Sequence, residues 1–318
     1  MNPPYQITPE IVKLIASVSE KLGQINANFL DKPSPQLRKE NRIKTIHSSL
    51  SIEGNTLTEE QITALIENKR IIGPAKDVKE VLNAVSVYNQ LDSFNPESSK
   101  SFLKAHEILM KGLVTENGKY RKKGVGIMAG DKIAHMAPPA GNVPHLMNNL
   151  FIYLKASKEI SLIKSCVFHY EMEFIHPFID GNGRMGRLWQ TLILMKEYPV
   201  FEFLPFENII QQTQSNYYHA LSQSDKSGNS TPFIEYMLEV INDALCKMLD
   251  FKSRIMSSED RLTYFSEIYD SEFSRKDYMR VFKDISSATA SRDLKQGVEL
   301  GLFEKEGNKT KTIYRIIK

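Results

Sequence analysis

Two helical patterns meet across twelve residues, His176 to Arg187, which read His-Pro-Phe-Ile-Asp-Gly-Asn-Gly-Arg-Met-Gly-Arg. Before them, apolar residues at helical spacing predict a buried helix: Ile163, Cys166, Val167, Tyr170 and Phe174. Pro177 should end that helix, because the residue before a proline is pushed out of the α region. After them a second stripe begins: Met185, Leu188, Trp189, Leu192, Ile193 and Met195. The Gly-Asn-Gly run is therefore predicted to lie where a second helix starts.

The start of this second helix is suited to binding an anion. The first N–H groups of a helix have no partner within it, and the helix dipole adds a partial positive charge there. Gly181 and Gly183 let a phosphate approach the main chain without a Cβ in the way. Arg184 and Arg187, three residues apart, can add donors on one side. The turn is predicted to bind a polyphosphate.

Two more side chains in the loop suit chemistry at a phosphate. Asp180 offers a hard oxygen ligand, of the kind Mg²⁺ accepts when it also binds substrate phosphates. His176 stands at the start of the loop, and an imidazole, which ordinarily titrates near neutrality, suits a general base.

Two other interpretations of the loop are weaker. Gly181, Gly183 and Gly186 match a dinucleotide-binding pattern, but that pattern follows a β-strand, whereas these residues follow a helical stripe. A purely structural turn would explain the glycines but not the convergence of a histidine, an aspartate and two arginines.

The whole string resembles the signature of the Fic family, His-x-Phe-x-(Asp/Glu)-Gly-Asn-Gly-Arg-x-x-Arg, with every specified position filled. The resemblance implies a mainly α Fic-fold helical bundle with a β-hairpin flap. It also implies transfer of AMP from ATP to a hydroxyl side chain of target proteins and of the chain itself. His176 would be the catalytic base, Phe178 the core anchor of the loop, and Asp180 the Mg²⁺ ligand. The implied ATP-binding residues are Asp180, Gly181, Asn182, Gly183, Arg184, Met185, Gly186 and Arg187.

Within that set, the resemblance puts Arg184 near the β-phosphate and Arg187 at the γ-phosphate. Related kinases tend to carry lysine where Gly183 stands, so Gly183 favours adenylylation.

The segment Ser49-Leu50-Ser51-Ile52-Glu53-Gly54-Asn55 is similar to the inhibitory motif of the family, (Ser/Thr)-x-x-x-Glu-(Gly/Asn). Helix stability does not require Glu53, because a carboxylate at a helix C-terminus opposes the dipole. Spacing alone would make it a solvated surface residue. The resemblance instead implies that Ser49 and Glu53 are inhibitory, with Glu53 pairing with Arg187 in the γ-phosphate position so that ATP binds unproductively.

The N-terminal region, residues 1–95, is predicted to be helical. Helix starts are indicated at Thr8-Pro9, near Leu37, at a Thr58/Gln61 capping box and after Gly73-Pro74, with a stop at Gly54. The last of these helices is predicted to bury Val78, Val81, Leu82, Val85 and Tyr88 or Leu91.

The catalytic domain is predicted to cover residues 96–250. Between Asn117 and Pro139 the pattern predicts two strands around Gly130-Asp131. In the family such a flap crosses the active site, so Val125, Gly126, Ile127 and Met128 would face the nucleotide. Tyr217 and Tyr218 resemble residues that border the adenine, although adjacent helical tyrosines are more often one core and one surface residue. A polar loop is predicted from Ser224 to Thr231.

Residues 256–318 resemble a winged helix-turn-helix domain, with three helices followed by a β-ribbon. In such domains the third helix enters the major groove, so Thr289, Ser291, Arg292 and Lys295 would face DNA, with Lys309 and Lys311 on the wing. Asp293, Glu299, Glu304 and Glu306 weaken the positive field. Docking of protein substrates or homodimerisation is an equal alternative.

Composition limits the remaining possibilities. At 318 residues and 41% hydrophobic content the chain can bury a large core. A net charge of +3 does not by itself predict nucleic-acid or membrane binding. Cys166 and Cys246 read as reduced core residues, and the first residues do not resemble a signal peptide. A cytoplasmic protein without a membrane anchor or structural zinc is expected.

Two classes of function stay open: an autoinhibited adenylyltransferase, and a DNA-binding regulator that senses ATP. Sensing needs the phosphate site but no base, so His176 favours the enzyme. Removal of AMP from a modified protein would use the same loop, with Glu53 positioning water.

Overall fold

The computed structural model describes residues 3–28, 35–129, 132–253, 258–269, 272–282, 285–307 and 312–317. The chain forms two compact units, Met1–Asn28 with Glu40–Met248, and Phe29–Lys39 with Leu249–Lys318. Most of the predicted N-terminal region, residues 3–28 and 40–95, thus shares a unit with the His176–Arg187 loop. The domain bounds 1–95, 96–250 and 256–318 stay predictions.

The N-terminal helices are α1 (Pro9–Asn28), α2 (Pro35–Ser51), α3 (Glu59–Ile66) and α4 (Ala75–Tyr88). Two predicted helix starts are confirmed by their caps. Thr8 Oγ1 accepts from the Ile11 N–H at 3.2 Å, and Thr58 forms the predicted capping box with Gln61.

The C-terminal end of α2 closes around Gly54, as predicted. Gly54 has φ +89°, and the Asn55 N–H reaches back to the Leu50 carbonyl at 3.1 Å. Such a left-handed residue satisfies the last carbonyls of a helix. Glu53 therefore lies in the closing turn, just after α2.

The buried face of α4 differs from the prediction. Leu82 is 46% exposed, whereas Asp77, Glu80 and Asn83 are buried. These polar residues are buried because they have partners: Asp77 Oδ2 accepts from the Thr56 N–H at 2.8 Å, and Asn83 donates to the carbonyl of Leu109 on the next helix at 3.0 Å.

The middle of the chain contains α5 (Ser99–Leu109), β1 (Gly126–Ala129), β2 (Lys132–Met136), α6 (Val143–Ala156), α7 (Ser161–Ile175) and α8 (Asn182–Met195). The strands pair antiparallel, with an irregularity between Ile127 and Met128, so the predicted hairpin is confirmed, while its turn, Gly130-Asp131, lies outside the described residues. The break between α7 and α8 falls where it was predicted. Phe174, expected on the buried stripe, is 37% exposed in the last turn of α7.

The chain continues with α9 (Phe206–Gln212), α10 (Gln214–Ser227) and α11 (Thr231–Ser253), of which all but the residues from Leu249 onward belong to the larger unit. The polar loop predicted from Ser224 is wrong in its extent, since α10 runs to Ser227. Ser224 is buried, and its Oγ accepts from the Phe233 N–H at 3.1 Å. The Ser224 hydroxyl thus accepts a hydrogen bond at the start of α11 instead of facing solvent.

The smaller unit contains α12 (Ser258–Ile268), α13 (Arg275–Val281), α14 (Ser287–Glu299), β3 (Phe303–Glu306) and β4 (Ile313–Ile316). The two strands pair antiparallel, as predicted for a winged helix. Its core is formed by Leu262, Phe265, Phe273, Tyr278, Phe282, Ala290, Leu294 and Phe303. Across the described parts of the chain, no helix has the length and apolar character needed to span a membrane.

Candidate active site

His176 is the residue at which α7 stops. Its main chain is left-handed, with φ 50° and ψ 61°, a conformation uncommon for residues other than glycine. Its N–H still bonds the Met172 carbonyl at 2.9 Å, and Pro177 prevents the helix from continuing. The imidazole is 19% exposed, and its Nδ1 lies 4.0 Å from Glu173 Oε2. The ring thus stands at the mouth of the loop with a carboxylate one turn behind it.

Phe178 anchors the loop in the core. It is fully buried and stacks on His106 of α5, with ring centroids 3.6 Å apart. The Gly118 N–H donates to His106 Nδ1 at 2.9 Å, so Nε2 carries the proton and donates to the Asp180 carbonyl at 3.0 Å. Burial lowers the pKa of His106 to about 4. A neutral histidine therefore supports the loop, a role that the sequence did not indicate.

Asn182 closes the loop on itself. Its Oδ1 accepts from the Phe178 N–H at 2.9 Å, and its Nδ2 donates to the Phe178 carbonyl at 3.0 Å. The side chain is thus engaged within the loop, and its main-chain N–H is one of those that open α8.

Gly181, Gly183 and Gly186 are each required for a different reason. Gly181 has φ +86°, and a Cβ there would lie 2.8 Å from Met110 Sδ. A Cβ on Gly183 would lie 2.3 Å from Glu53 Oε1, and one on Gly186 would lie 2.6 Å from the His169 ring. Gly183 therefore leaves room beside the start of α8, whereas Gly186 lets α7 and α8 approach each other. Met185 is buried, with its N–H bonded to the Gly181 carbonyl at 3.0 Å.

Arg184 is held between two carboxylates. Its Nη2 donates to Asp180 Oδ1 at 2.7 Å, and its Nη1 donates to Glu80 Oε1 at 3.2 Å. Asn55 Nδ2 in turn donates to Glu80 Oε2 at 2.8 Å. Glu80 was missed because its partner lies 104 residues away in the sequence.

Arg187 is buried and contacts the end of α2. Its Nη2 donates to Glu53 Oε1 at 2.7 Å and to the Ser49 carbonyl at 2.9 Å, and its Nε donates to Ser49 Oγ at 3.1 Å. Burial, the largest single effect, lowers the pKa of Arg187, but the charge and hydrogen bond of Glu53, together with the nearby Tyr217 and Glu173, outweigh it, and the pKa is raised. Glu53 and Ser49 therefore both accept hydrogen bonds from Arg187, the second arginine of the loop.

The end of α2 is also fixed from its other side. Asn208 donates to Ser48 Oγ at 3.3 Å, Gln211 donates to Ser51 Oγ at 2.8 Å, and Gln214 donates to the Ile52 carbonyl at 2.9 Å. These three amides, which we call the amide row, lie on α9 and α10. Together they hold the turn that carries Glu53 in place.

The donor set fits Mg²⁺ bound to a polyphosphate. Asp180 is partly exposed, and its Oδ1 accepts from the Gly181 N–H at 2.6 Å. Among the described residues no three His, Cys, Asp or Glu side chains cluster as a metal site. A single carboxylate beside a phosphate site is what Mg²⁺ uses when substrate oxygens supply its other ligands.

The remaining predicted nucleotide residues lie in two places. Val125 precedes β1, and Gly126, Ile127 and Met128 lie on that strand of the hairpin. On α10, Tyr217 is buried, with its hydroxyl 3.1 Å from His169 Nε2, whereas Tyr218 is 48% exposed.

The predicted DNA-facing residues all lie on α14. Ser291, Arg292 and Lys295 are exposed and Thr289 is half-buried, while Lys309 and Lys311 lie outside the described residues. Asp293 does not weaken the field on this surface as expected, because it is buried. Its Oδ2 accepts from Arg261 Nε at 2.6 Å.

Fold and site together define a helical protein in which one helix ends on a histidine and the next begins with a glycine-rich turn and two arginines. A family model described as the Fic/DOC family matches residues 96–194. A Fic family protein from Desulfovibrio desulfuricans G20, known from a crystal structure, is 41% identical. That similarity covers 100% of this chain and 98% of the other, with a TM-score of 0.76. The chain belongs to the Fic family.

Similarities to more distant relatives are consistent with membership of this family. A fragment of Fic-1 from C. elegans is 20% identical over 76% of this chain and 73% of the fragment, with a TM-score of 0.64, which supports the fold alone. The protein adenylyltransferase Fic of Nematostella vectensis is 29% identical over 245 residues, 73% of this chain and 54% of its own length. That of Drosophila mojavensis is 26% identical over 76% of this chain and 49% of its own. The chain spans about half the length of these curated relatives.

Proposed function

We propose that this chain transfers AMP from ATP to a hydroxyl side chain of a protein, and that Glu53 holds the transfer in check. The observation that carries the proposal is the position of His176 at the end of α7, five residues before the Gly181–Arg187 turn. A base and a phosphate site are thereby joined in one short loop. The names of the curated relatives, which are adenylyltransferases, support the same reaction.

In the proposed reaction the target hydroxyl oxygen attacks the α-phosphorus of ATP. The bond from that phosphorus to the bridging oxygen breaks, pyrophosphate leaves, and His176 takes the hydroxyl proton. The N–H groups at the start of α8, with Arg184 and Arg187, hold the phosphates. Asp180 would hold Mg²⁺, which supplies charge neutralisation at the phosphates.

The position of the label in ATP distinguishes this reaction from phosphorylation. With a Glu53→Gly chain, we expect ATP labelled at the α-phosphate to label protein, while ATP labelled at the γ-phosphate leaves it unlabelled. The γ-label should instead be recovered in pyrophosphate. Labelling of protein from the γ-position alone would refute AMP transfer and indicate a kinase.

The proposed inhibition rests on the contact between Glu53 and Arg187. The Glu53 carboxylate accepts from Nη2 of this arginine and lies where the γ-phosphate would otherwise bind, so bound ATP is misaligned. The amide row supports this role because it keeps the turn carrying Glu53 in position. De-AMPylation by the same loop is the alternative activity, in which Glu53 would orient water. The free cysteines Cys166 and Cys246 suit the cytoplasm, where we place this activity.

A second function, DNA binding by the smaller unit, is favoured by the exposed face of α14. Because Asp293 points into the core, Ser291, Arg292 and Lys295 face solvent without that carboxylate. Protein docking or homodimerisation through this unit is the competing proposal.

A salt titration tests the DNA proposal. The full chain should bind duplex DNA with an affinity that falls steeply as salt rises, because phosphate contacts release counterions. The double change Arg292→Ala with Lys295→Ala should weaken binding and flatten the salt dependence. A matched control, Lys13→Ala with Lys104→Ala, removes two exposed positive charges from the larger unit and should change little. Absence of salt-dependent binding to random or promoter duplexes would leave docking or dimerisation as the role of this unit.

A further inference from the structure

Arg121, a buried arginine outside the His176–Arg187 loop, connects the end of α7 to both ends of the β1–β2 hairpin. Arg121 lies between Gly118 and β1 and is only 2% exposed. All of its hydrogen-bond partners among the described residues are main-chain carbonyls. An arginine buried in this way is bound as a planar donor fork rather than as one half of an ion pair.

The first set of contacts is with the end of α7. Arg121 Nε donates to the His176 carbonyl at 2.7 Å, and Nη2 donates to the Ile175 carbonyl at 3.3 Å. The main-chain N–H of Arg121 donates to the Pro177 carbonyl at 2.9 Å. The carbonyls of three consecutive residues thus accept hydrogen bonds from Arg121: His176 and its two neighbours, Ile175 and Pro177.

The second set of contacts is with the base of the β1–β2 hairpin. Arg121 Nη1 donates to the Lys123 carbonyl at 2.9 Å, and Nη2 donates to the Pro138 carbonyl at 2.5 Å. Lys123 precedes β1 and Pro138 follows β2. The guanidinium therefore ties both ends of the hairpin to the helix end that carries His176.

These contacts stabilise the end of α7 in two ways. The last carbonyls of a helix have no partner within it, and a cation there is favoured by the dipole. A non-glycine residue in the left-handed region is strained and persists only where its surroundings hold it there. His176 is such a residue, and the Arg121 fork binds the carbonyls that its turn would otherwise leave unpaired.

We propose that Arg121 is a positioning residue for AMP transfer: by binding carbonyls at the end of α7 and at both ends of the hairpin, it fixes His176 relative to the hairpin. This inference rests on the proposed function. It assigns no contact with ATP, because the start of α8 is held separately, by Asn182 on Phe178 and by His106 on Asp180. Loss of Arg121 should therefore affect the chemical step much more than nucleotide binding.

The experiment compares Arg121→Lys and Arg121→Ala in a full-length Glu53→Gly chain. A lysine keeps the charge but cannot reproduce a planar fork that reaches four carbonyls. We expect kcat for self-labelling to fall about 10²-fold in either variant, since small misplacements of reacting groups cost that much. The KM for ATP should change by less than about threefold, because the phosphate site is intact.

Chemical rescue separates positioning from a general loss of structure. Millimolar guanidinium, far below the molar range that unfolds proteins, should restore part of the transfer in Arg121→Ala by entering the vacated space. It should not restore Arg121→Lys, in which the lysine fills that space, and an equal concentration of sodium chloride should have no effect. Arg42→Ala is the matched control: Arg42 donates to the Tyr88 carbonyl and to Glu202, and guanidinium should not stimulate it.

Hydrogen exchange provides a readout independent of activity. In Arg121→Lys, amide exchange should accelerate together in the hairpin and around residues 174–178, by at least about tenfold, while α11 is unchanged. If the Glu53→Gly parent transfers no AMP, the proposed function fails, but this exchange result still tests the coupling.

Three results would overturn the inference: transfer within threefold of the parent, equal losses in kcat and ATP affinity without rescue, or unchanged exchange at both segments. Should Arg121→Ala not fold, Arg121→Lys decides by the same kcat and exchange criteria.

Discussion

In a Glu53→Gly background, His176→Ala should lower the rate of AMP transfer by about 10²–10⁴-fold while ATP binding survives. In the proposed reaction the imidazole at the end of α7 takes the hydroxyl proton but does not build the phosphate site, which is predicted to start five residues later. Initial rates of protein labelling measure the first effect. Titration calorimetry with ATP measures the second.

The control for this substitution is His145→Ala, which removes an exposed imidazole from α6 and should keep the parental rate. If His176→Ala transfers AMP as fast as its parent, His176 is not the base. If it loses ATP binding together with transfer, His176 is part of the nucleotide site, and the division of roles between α7 and α8 is wrong.

The junction of α7 and α8 could be predicted because its determinants are local. Pro177 cannot continue α7, because a proline beyond the first turn of a helix lacks the N–H and its ring clashes with the preceding turn, and Gly181, with its positive φ, allows the chain to reverse into α8. Capping at Thr8 and Thr58 was predictable for the same reason. Each signal involves residues within a few positions of one another, so no knowledge of the tertiary fold was needed.

The buried face of α4 was not predictable in the same way. Apolar spacing placed Leu82 in the core, whereas the structure exposes Leu82 and buries Glu80, which that spacing did not indicate. Glu80 is buried because Arg184 and Asn55 supply its hydrogen bonds, and a buried charge requires such partners. Since those partners are remote in sequence, periodicity alone could not reveal them.

The residues that support the His176–Arg187 loop were missed for a related reason. His106 and Arg121 precede the loop by more than fifty residues, and Arg121 lies in the stretch from Asn117 to Pro139, for which only a hairpin was predicted. Its function depends on carbonyl groups, which carry no signature in a sequence. The prediction for Asp293 was also wrong: it was expected to be a surface charge, but it is buried. Its partner, Arg261, lies on a different helix, so the sequence around Asp293 does not reveal the pair.

The second large effect concerns Glu53. A charge-assisted hydrogen bond between arginine and carboxylate contributes about 1.5–3 kcal/mol, which corresponds to roughly a ten- to hundredfold change in the productive fraction. Glu53→Gly should therefore raise AMP transfer by that factor. Glycine suits this position because it lies in the closing turn of a helix. The variant should remain folded, since the amide row still holds the end of α2.

Ser49→Ala serves as the graded control for the same arginine. It removes the Ser49 Oγ acceptor, but the Ser49 carbonyl and Glu53 stay on Arg187, so activation should be far smaller than in Glu53→Gly. Comparable activation by both substitutions would indicate that disturbance of α2, rather than loss of the carboxylate, releases the enzyme.

The most direct test is intact-mass spectrometry of the wild-type and Glu53→Gly chains after parallel incubation with ATP and Mg²⁺. We expect an AMP adduct on the Glu53→Gly protein at roughly ten to a hundred times the wild-type level, and its loss when His176→Ala is added. A Glu53→Gly protein that melts as a folded chain yet carries no more AMP than the wild type would contradict the account.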